Sequence, residues 1–472
     1  MRSFIVFIFL FCAVLCVSAQ SGRTNAEISA TPQTENSPRL SAEQLFDEAN
    51  SYFRTKVAEF QQKKVPYNEK LRLQTVQEQK QLAAKNAAIL LERNNLAGED
   101  FYFLGMLHWI AENNDGAAEA LRTFITTENP NAEKLQAARS VVVILAARKK
   151  NFAEAEKILV DYLNTNPTKP RERMRMEMEL TAYYRAENNP AKAAAHAEEA
   201  YRAAKVNFQN APTRAAGVSD LIENGMIVFE IYRDDRQIEK AEKALEDLQK
   251  TGAFVESTTT YYVAVDQRVK YFIETGRKPL AMKFYKEILE TAPKDFKTKG
   301  WQDDILRRLK ERWKHYELLG ETAPELVGID QWFPGESKKL AEMRGKVVLL
   351  DFWATWCGPC YGAFPSLIDW SKRFEKEGFV ILGITRYYGS QTGADIKNDA
   401  SEIEYLRKFK IENNLPYDFV VGKDVTNQHA YGASSLPTTV IIDRKGVVRY
   451  AEIGAGKEPE IQRTIEKLLA EK

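Results

Sequence analysis

The sequence predicts a chain of two parts, an all-α helical-repeat solenoid followed by a smaller α/β domain. From about Ser41 to Gly320, apolar residues recur at helical spacing, and Ala, Glu, Lys, Leu and Arg dominate. Beyond that point, β-branched apolar runs alternate with helical stretches, as in Val347 to Leu350, Phe379 to Ile384 and Val440 to Ile442. Separated from the first of these runs by six residues stands Cys357-Gly358-Pro359-Cys360. That short string is where chemistry is expected.

With 472 residues the chain is long enough for two or three domains. Its formal net charge is +1, so no polyanion partner is implied, and no nucleic-acid signature stands out. Met1 to Ala19 reads as a secretory signal peptide: Arg2 supplies the positive start, Phe4 to Val17 is the apolar run, and Val17-Ser18-Ala19 is a small-residue cleavage site. An uncleaved anchor is the alternative. The destination is then extracytoplasmic, periplasmic or secreted. Residues 20–40 are polar and read as a flexible linker. Two of the four cysteines, Cys12 and Cys16, lie in the leader, so Cys357 and Cys360 are the only two left in the processed chain.

Residues 41–320 carry a repeated turn-and-helix start. It is seen at Asp115, Asn151 and Asn189, with weaker copies at Arg236 and Arg277. The third residue of each gives anchors at 117, 153, 191, 238 and 279, with irregular steps of roughly forty residues. This array resembles a degenerate tetratricopeptide repeat. Small alanines at the anchors suit close helix packing. Such solenoids present a concave surface to peptides or proteins, so a partner on the array is one expectation and a plain spacer the other. Gly320 to Leu326 is read as the boundary, which sets the second domain at residues 321–472.

Val347 to Phe352 reads as a buried strand, and a helix follows the cysteines. Cys357 then sits at a helix N-terminus, where free backbone N–H groups and the helix dipole favour a thiolate. Cys360 lies on the same helix face and can close a disulfide onto it. The string Asp351-Phe352-Trp353-Ala354-Thr355-Trp356-Cys357-Gly358-Pro359-Cys360 resembles the thioredoxin superfamily. The Gly320-x-x-Ala323-Pro324-x-Leu326 entry and the long stretch from Thr385 to Val421 resemble its TlpA-like branch.

That resemblance implies a thiol-disulfide oxidoreductase with Cys357 as nucleophile and Cys360 as resolving thiol. It implies that Asp351 is the buried acid under the site and that Pro437 is the superfamily's cis-proline, with Leu436 before it. Trp356, Gly358, Pro359, Leu436 and Pro437 are then the residues that meet the client. The lysine that neighbours this acid in the family has no equivalent between Phe379 and Ile384. Gly358-Pro359 is closer to reducing thioredoxins than to strong oxidants, which favours a reductase of protein disulfides fed by an unidentified electron donor. Peroxidase chemistry needs Pro and Thr ahead of the cysteine, where Leu350 and Ala354 stand.

No cofactor is implied. Zinc would need two further ligands, and His108, His196, His315 and His429 show no ligand spacing. The non-enzyme alternative is a protein-binding scaffold or chaperone-like module with a secondary redox domain. Because the array holds no catalytic constellation, residues 321–472 are expected to fold and react on their own.

Overall fold

The structure is a computed structural model that describes residues 40–93, 95–389 and 396–471. The signal-peptide reading, Cys12, Cys16 and all but the last residue of the linker reading lie outside the described residues. The described chain forms two compact units. One runs up to Asp220 and takes in Glu230–Arg236; the other holds Leu221–Phe229 and Gln237–Lys472.

The first unit contains helices α1 (Ala42–Gln62), α2 (Glu69–Leu91), α3 (Asp100–Ile110), α4 (Asn114–Ile125), α5 (Ala132–Arg148), α6 (Phe152–Leu163), α7 (Pro170–Ala186), α8 (Pro190–Asn207) and part of α9 (Arg214–Asp234). Helices α10 (Ile238–Phe254), α11 (Thr258–Glu274), α12 (Lys278–Thr291) and α13 (Lys299–Leu318) continue the array in the second unit.

A recurring turn makes this array. Glu112, Lys150, Asn188, Arg236 and Gly276 each adopt a left-handed backbone conformation that ends one helix. The next residue starts the following helix, and Asn113, Asn151 and Asn189 each cap it with the side chain. Four residues after each of these five starting positions comes a fully buried alanine: Ala117, Ala155, Ala193, Ala241 and Ala281. The small residues that let helices approach are therefore these. Of the anchors expected from sequence, Ala153 and Ala191 face solvent.

The C-terminal part is a six-stranded mixed sheet in the order β1-β4-β3-β2-β5-β6. Its strands are β1 (Ile329–Phe333), β2 (Val347–Phe352), β3 (Phe379–Arg386), β4 (Asp418–Gly422), β5 (Thr438–Ile442) and β6 (Val448–Ile453). The helices among them are α14 (Gly358–Phe374), α15 (Asp399–Glu412), α16 (Thr426–Tyr431) and α17 (Glu458–Ala470). Side-chain alternation gives each strand two apolar faces. Val347, Leu349, Ile381 and Phe419 pack with α14, α15 and α17. Val348, Leu350, Leu382 and Val440 share a second core with residues of α11, α12, α13 and α16. Strand β1 and helix α16 are absent from the sequence reading, because both are short and carry no clear period.

The stretch expected to be a boundary is bonded into the sheet. Gly320 N–H donates to Val448 O at 2.8 Å, Val448 N–H to Glu321 O at 2.9 Å, and Ala323 N–H to Gly446 O at 2.9 Å. Further along β6, Arg312 of α13 donates to Ala451 O at 3.0 Å and to Glu452 at 3.2 Å. Arg312 also reaches Asp266 at 3.0 Å, and Lys270 bridges Asp266 and Glu452 at 2.8 Å each. Burial pushes the Asp266 carboxyl up, but Arg312 and Lys270 outweigh it and hold the group well below the usual range. Arg312 donates to Nδ1 of His315 at 2.7 Å, so that ring carries its proton on Nε2. These contacts cover the β6 edge that would otherwise present unpaired backbone groups. The helices from Gln237 onward thus belong to the same compact unit as the sheet, and the division between units falls inside the helical array rather than at 320.

Candidate active site

Strand β2 delivers Asp351 and the loop after it to the start of α14. Cys357 occupies the N-cap position of α14, Pro359 lies in the first turn, and Cys360 is one turn in. A proline there costs nothing, since the first-turn N–H groups have no helical partner. The Cys360 N–H donates to Cys357 O at 3.0 Å, and the two sulfurs are joined in a disulfide. Cys357 is 3 % exposed and Cys360 1 %, while Trp356 beside them is 46 % exposed. The attackable sulfur is therefore buried, with Trp356, Gly358 and Pro359 on either side of it in the chain open to solvent. The hydroxyl of Tyr361, the residue after Cys360, donates to Thr355 O at 2.7 Å and ties the loop to the helix.

Asp351 lies in the buried centre of the sheet, opposite Gly383 of β3 and Thr439 of β5. Burial pushes its carboxyl up from 3.8 to about 7. Gly383 matters here. A Cβ on it would lie 3.0 Å from Trp353 Nε1, 3.2 Å from Tyr417 Cε2 and 3.3 Å from Phe419 Cδ1. Three rings close over the strand at the acid only because position 383 has no side chain. Tyr417 is held neutral by burial and by the charge of Asp351. Lys410 of α15, half-buried, caps the carbonyl of Leu415 at 2.5 Å and also reaches Tyr417 O. Its ammonium faces the rings of Tyr417 and Phe419.

The Leu436–Pro437 peptide is cis and leads into β5. Leu436 packs against the same apolar cluster as both cysteines. The structure thus gathers Asp351, Trp356, Cys357, Gly358, Pro359 and Cys360 along one strand-turn-helix, with Leu436 against the same core. Sequence reading missed Gly383, Tyr388 and Glu402. The signal for the first was a lone glycine inside an apolar strand; the other two lie in the long stretch from Thr385 to Val421, Glu402 in its part that reads as a helix. Among the described residues no group of His, Cys, Asp and Glu is placed to hold a metal ion. No helix among them is long and apolar enough to cross a membrane.

A cysteine pair at a helix N-terminus, on the chain segment that follows a buried carboxylate in the central strand of a mixed sheet with helices on both faces, defines a thioredoxin-fold redox protein. The AhpC/TSA family model matches residues 319–451. Over 150 residues the chain is 30% identical to the thiol-disulfide oxidoreductase ResA of Geobacillus thermodenitrificans, covering 32% of this chain and 78% of that protein. It is 29% identical to the thioredoxin-like protein YneN of Bacillus subtilis over 179 residues, 36% of this chain and 98% of that one. The solved thioredoxin domain of a thiol-disulfide oxidoreductase from Bacteroides vulgatus is 24% identical, with a TM-score of 0.27, covering 32% of this chain and 97% of that one. The chain belongs to the thiol-disulfide oxidoreductases of the thioredoxin superfamily, through a TlpA-like domain at its C-terminal end.

Proposed function

We propose that the protein is a reductase of protein disulfides outside the cytoplasm. One observation carries this reading: a Cys357–Cys360 pair at the start of α14, six residues along the chain from a buried Asp351 whose carboxyl is pushed up to about 7. An acid poised there changes protonation state at working pH, as a proton acceptor must.

In the reduced protein the Cys357 thiolate attacks one sulfur of a client disulfide. A mixed disulfide forms, and the other client sulfur leaves as a thiolate. Cys360 then gives its proton to the Asp351 carboxylate and attacks Cys357 Sγ. The second client thiolate leaves and takes up a proton. The client has gained two electrons, and the protein ends as the Cys357–Cys360 disulfide. A dithiol donor returns it to the reduced state. Trp356, Gly358, Pro359, Leu436 and cis-Pro437 form the surface against which the client segment lies. Supporting the reducing direction is the Gly358-Pro359 pair, as in reducing thioredoxins.

Insulin with dithiothreitol as donor tests the reading. Turnover should be lost in Cys357→Ser, whereas Cys360→Ala should accumulate clients as mixed disulfides on Cys357. Undiminished insulin reduction by Cys357→Ser would overturn it. The extracytoplasmic address rests on the leader, Met1 to Ala19. N-terminal sequencing of protein from the culture should begin near Gln20, and a chain still starting at Met1 would count against a cleaved signal.

A further inference from the structure

The rim of the site is fixed by a residue of α15, outside the strand and helix that carry the cysteines. Trp356 meets the ring of Tyr388 edge-on, with centroids 5.3 Å apart and planes at 84°. The Arg386 guanidinium lies 4.1 Å from the centre of the Tyr388 ring. Tyr388 lies two residues past the end of β3, beyond the point where its pairing with β4 ends at Arg386. The strand ladder therefore does not hold it.

Glu402 does. One of its carboxylate oxygens accepts from Tyr388 N–H at 2.8 Å, the other from Gly389 N–H at 2.9 Å. The residue is 1 % exposed. The ordinary job for a carboxylate in a first helical turn is to satisfy that helix's own N–H groups. Here the job is already done, since Asn398 and Ser401 form the capping box of α15. Glu402 is instead turned away from its helix and spends two charge-assisted bonds on the loop beside the redox pair.

We propose that Glu402 is a positioning residue for disulfide exchange. It clamps the Tyr388–Gly389 backbone, seats the Tyr388 ring against Trp356, and so fixes an aromatic wall beside Cys357. That wall suits clients whose disulfide is flanked by apolar or aromatic side chains, because rings pack well edge-to-face. This rests on the reductase reading above.

The test compares two substrates in the full-length protein: insulin, and the small disulfide of hydroxyethyl groups. Glu402→Ala should raise KM for insulin about tenfold with little change in kcat, the size of one lost aromatic contact. The small disulfide, which cannot reach the wall, should react as in the parent. Tyr388→Ala should reproduce the effect, since it removes the ring that packs on Trp356. Most informative is the double variant. If Glu402 acts through Tyr388, Glu402→Ala adds nothing in a Tyr388→Ala background. Additive losses, an equal fall in kcat on both substrates, or an unchanged insulin KM in Glu402→Ala overturns the proposal. Should Glu402→Ala fail to fold, Tyr388→Ala leaves the carboxylate bonds in place, and an unchanged KM there is equally fatal. A parent protein inert on insulin would sink the reductase reading and this proposal together, whereas an active parent with unaffected variants sinks this one alone.

Discussion

At the scale of the residue, Asp351 shows how far a sequence motif reaches. Its place in the string before the cysteines was enough to expect a buried acid. What the string could not say is how the burial is achieved. That depends on Gly383 in another strand, and on rings from β4 and the loop before it. The raised carboxyl has a consequence for stability. In the folded protein the group holds its proton up to about pH 7; in the unfolded chain it releases it near the ordinary 3.8. The folded state therefore binds more protons between these values, so this group's stabilising effect is complete below about pH 4 and is lost as pH rises towards 7. The whole change is roughly 4 kcal/mol. Urea midpoints of the oxidised protein should fall across that window more steeply than those of Asp351→Asn, which cannot ionise. Parallel curves would mean that position 351 does not titrate there. In turnover the same variant should release its mixed disulfide on the order of 10²-fold more slowly, having lost the proton acceptor.

At the scale of the element, the helical period was plain and the repeat nearly so. The five starts found in the sequence all fall near the second helix of a hairpin. The anchor at 117 is a buried alanine, whereas those at 153 and 191 fall two residues before the buried Ala155 and Ala193. The structural constant is a left-handed residue, a helix-starting residue and a buried alanine, and only the last two leave a sequence signal. In the second unit, α10 meets α11 backbone to backbone at Gly252. A Cβ there would lie 2.5 Å from Tyr261 N and 2.8 Å from Tyr261 Cα, both backbone atoms that cannot swing aside. Gly252→Ala should thus force the hairpin apart and cost about 1–3 kcal/mol, as overpacking of a tight contact does. Thermal unfolding measures it. A melting temperature equal to the parent's would show that the hairpin yields freely.

At the scale of the whole molecule, the sequence placed a boundary at Gly320 because composition changes there and a redox domain begins. Composition does not reveal that the chain past that point pairs with β6, or that a helix before it sends Arg312 to the same strand. Asp266 and Lys270 stand one turn apart on α11, but Arg312 lies 46 positions beyond Asp266 and Glu452 a further 140, and nothing local brings those together. We propose that the redox unit begins within α9 and takes in the last helices of the array. Residues 321–472 alone would keep Glu452 but lose Arg312 and Lys270, exposing the apolar face that Tyr285, Leu309 and Tyr316 cover. Removing one side of a buried ion pair costs about 3–5 kcal/mol, which is a large part of the stability of an ordinary domain. A fragment of residues 213–472 should therefore unfold cooperatively and reduce a small disulfide like the full chain. The 321–472 fragment should melt well below it or be only partly folded, with Arg312→Met in the full chain showing a smaller loss of the same kind. Equal melting temperatures and equal rates for the two fragments would restore the boundary at 320. They would leave the helices from 237 to 319 as a spacer that merely rests against the sheet.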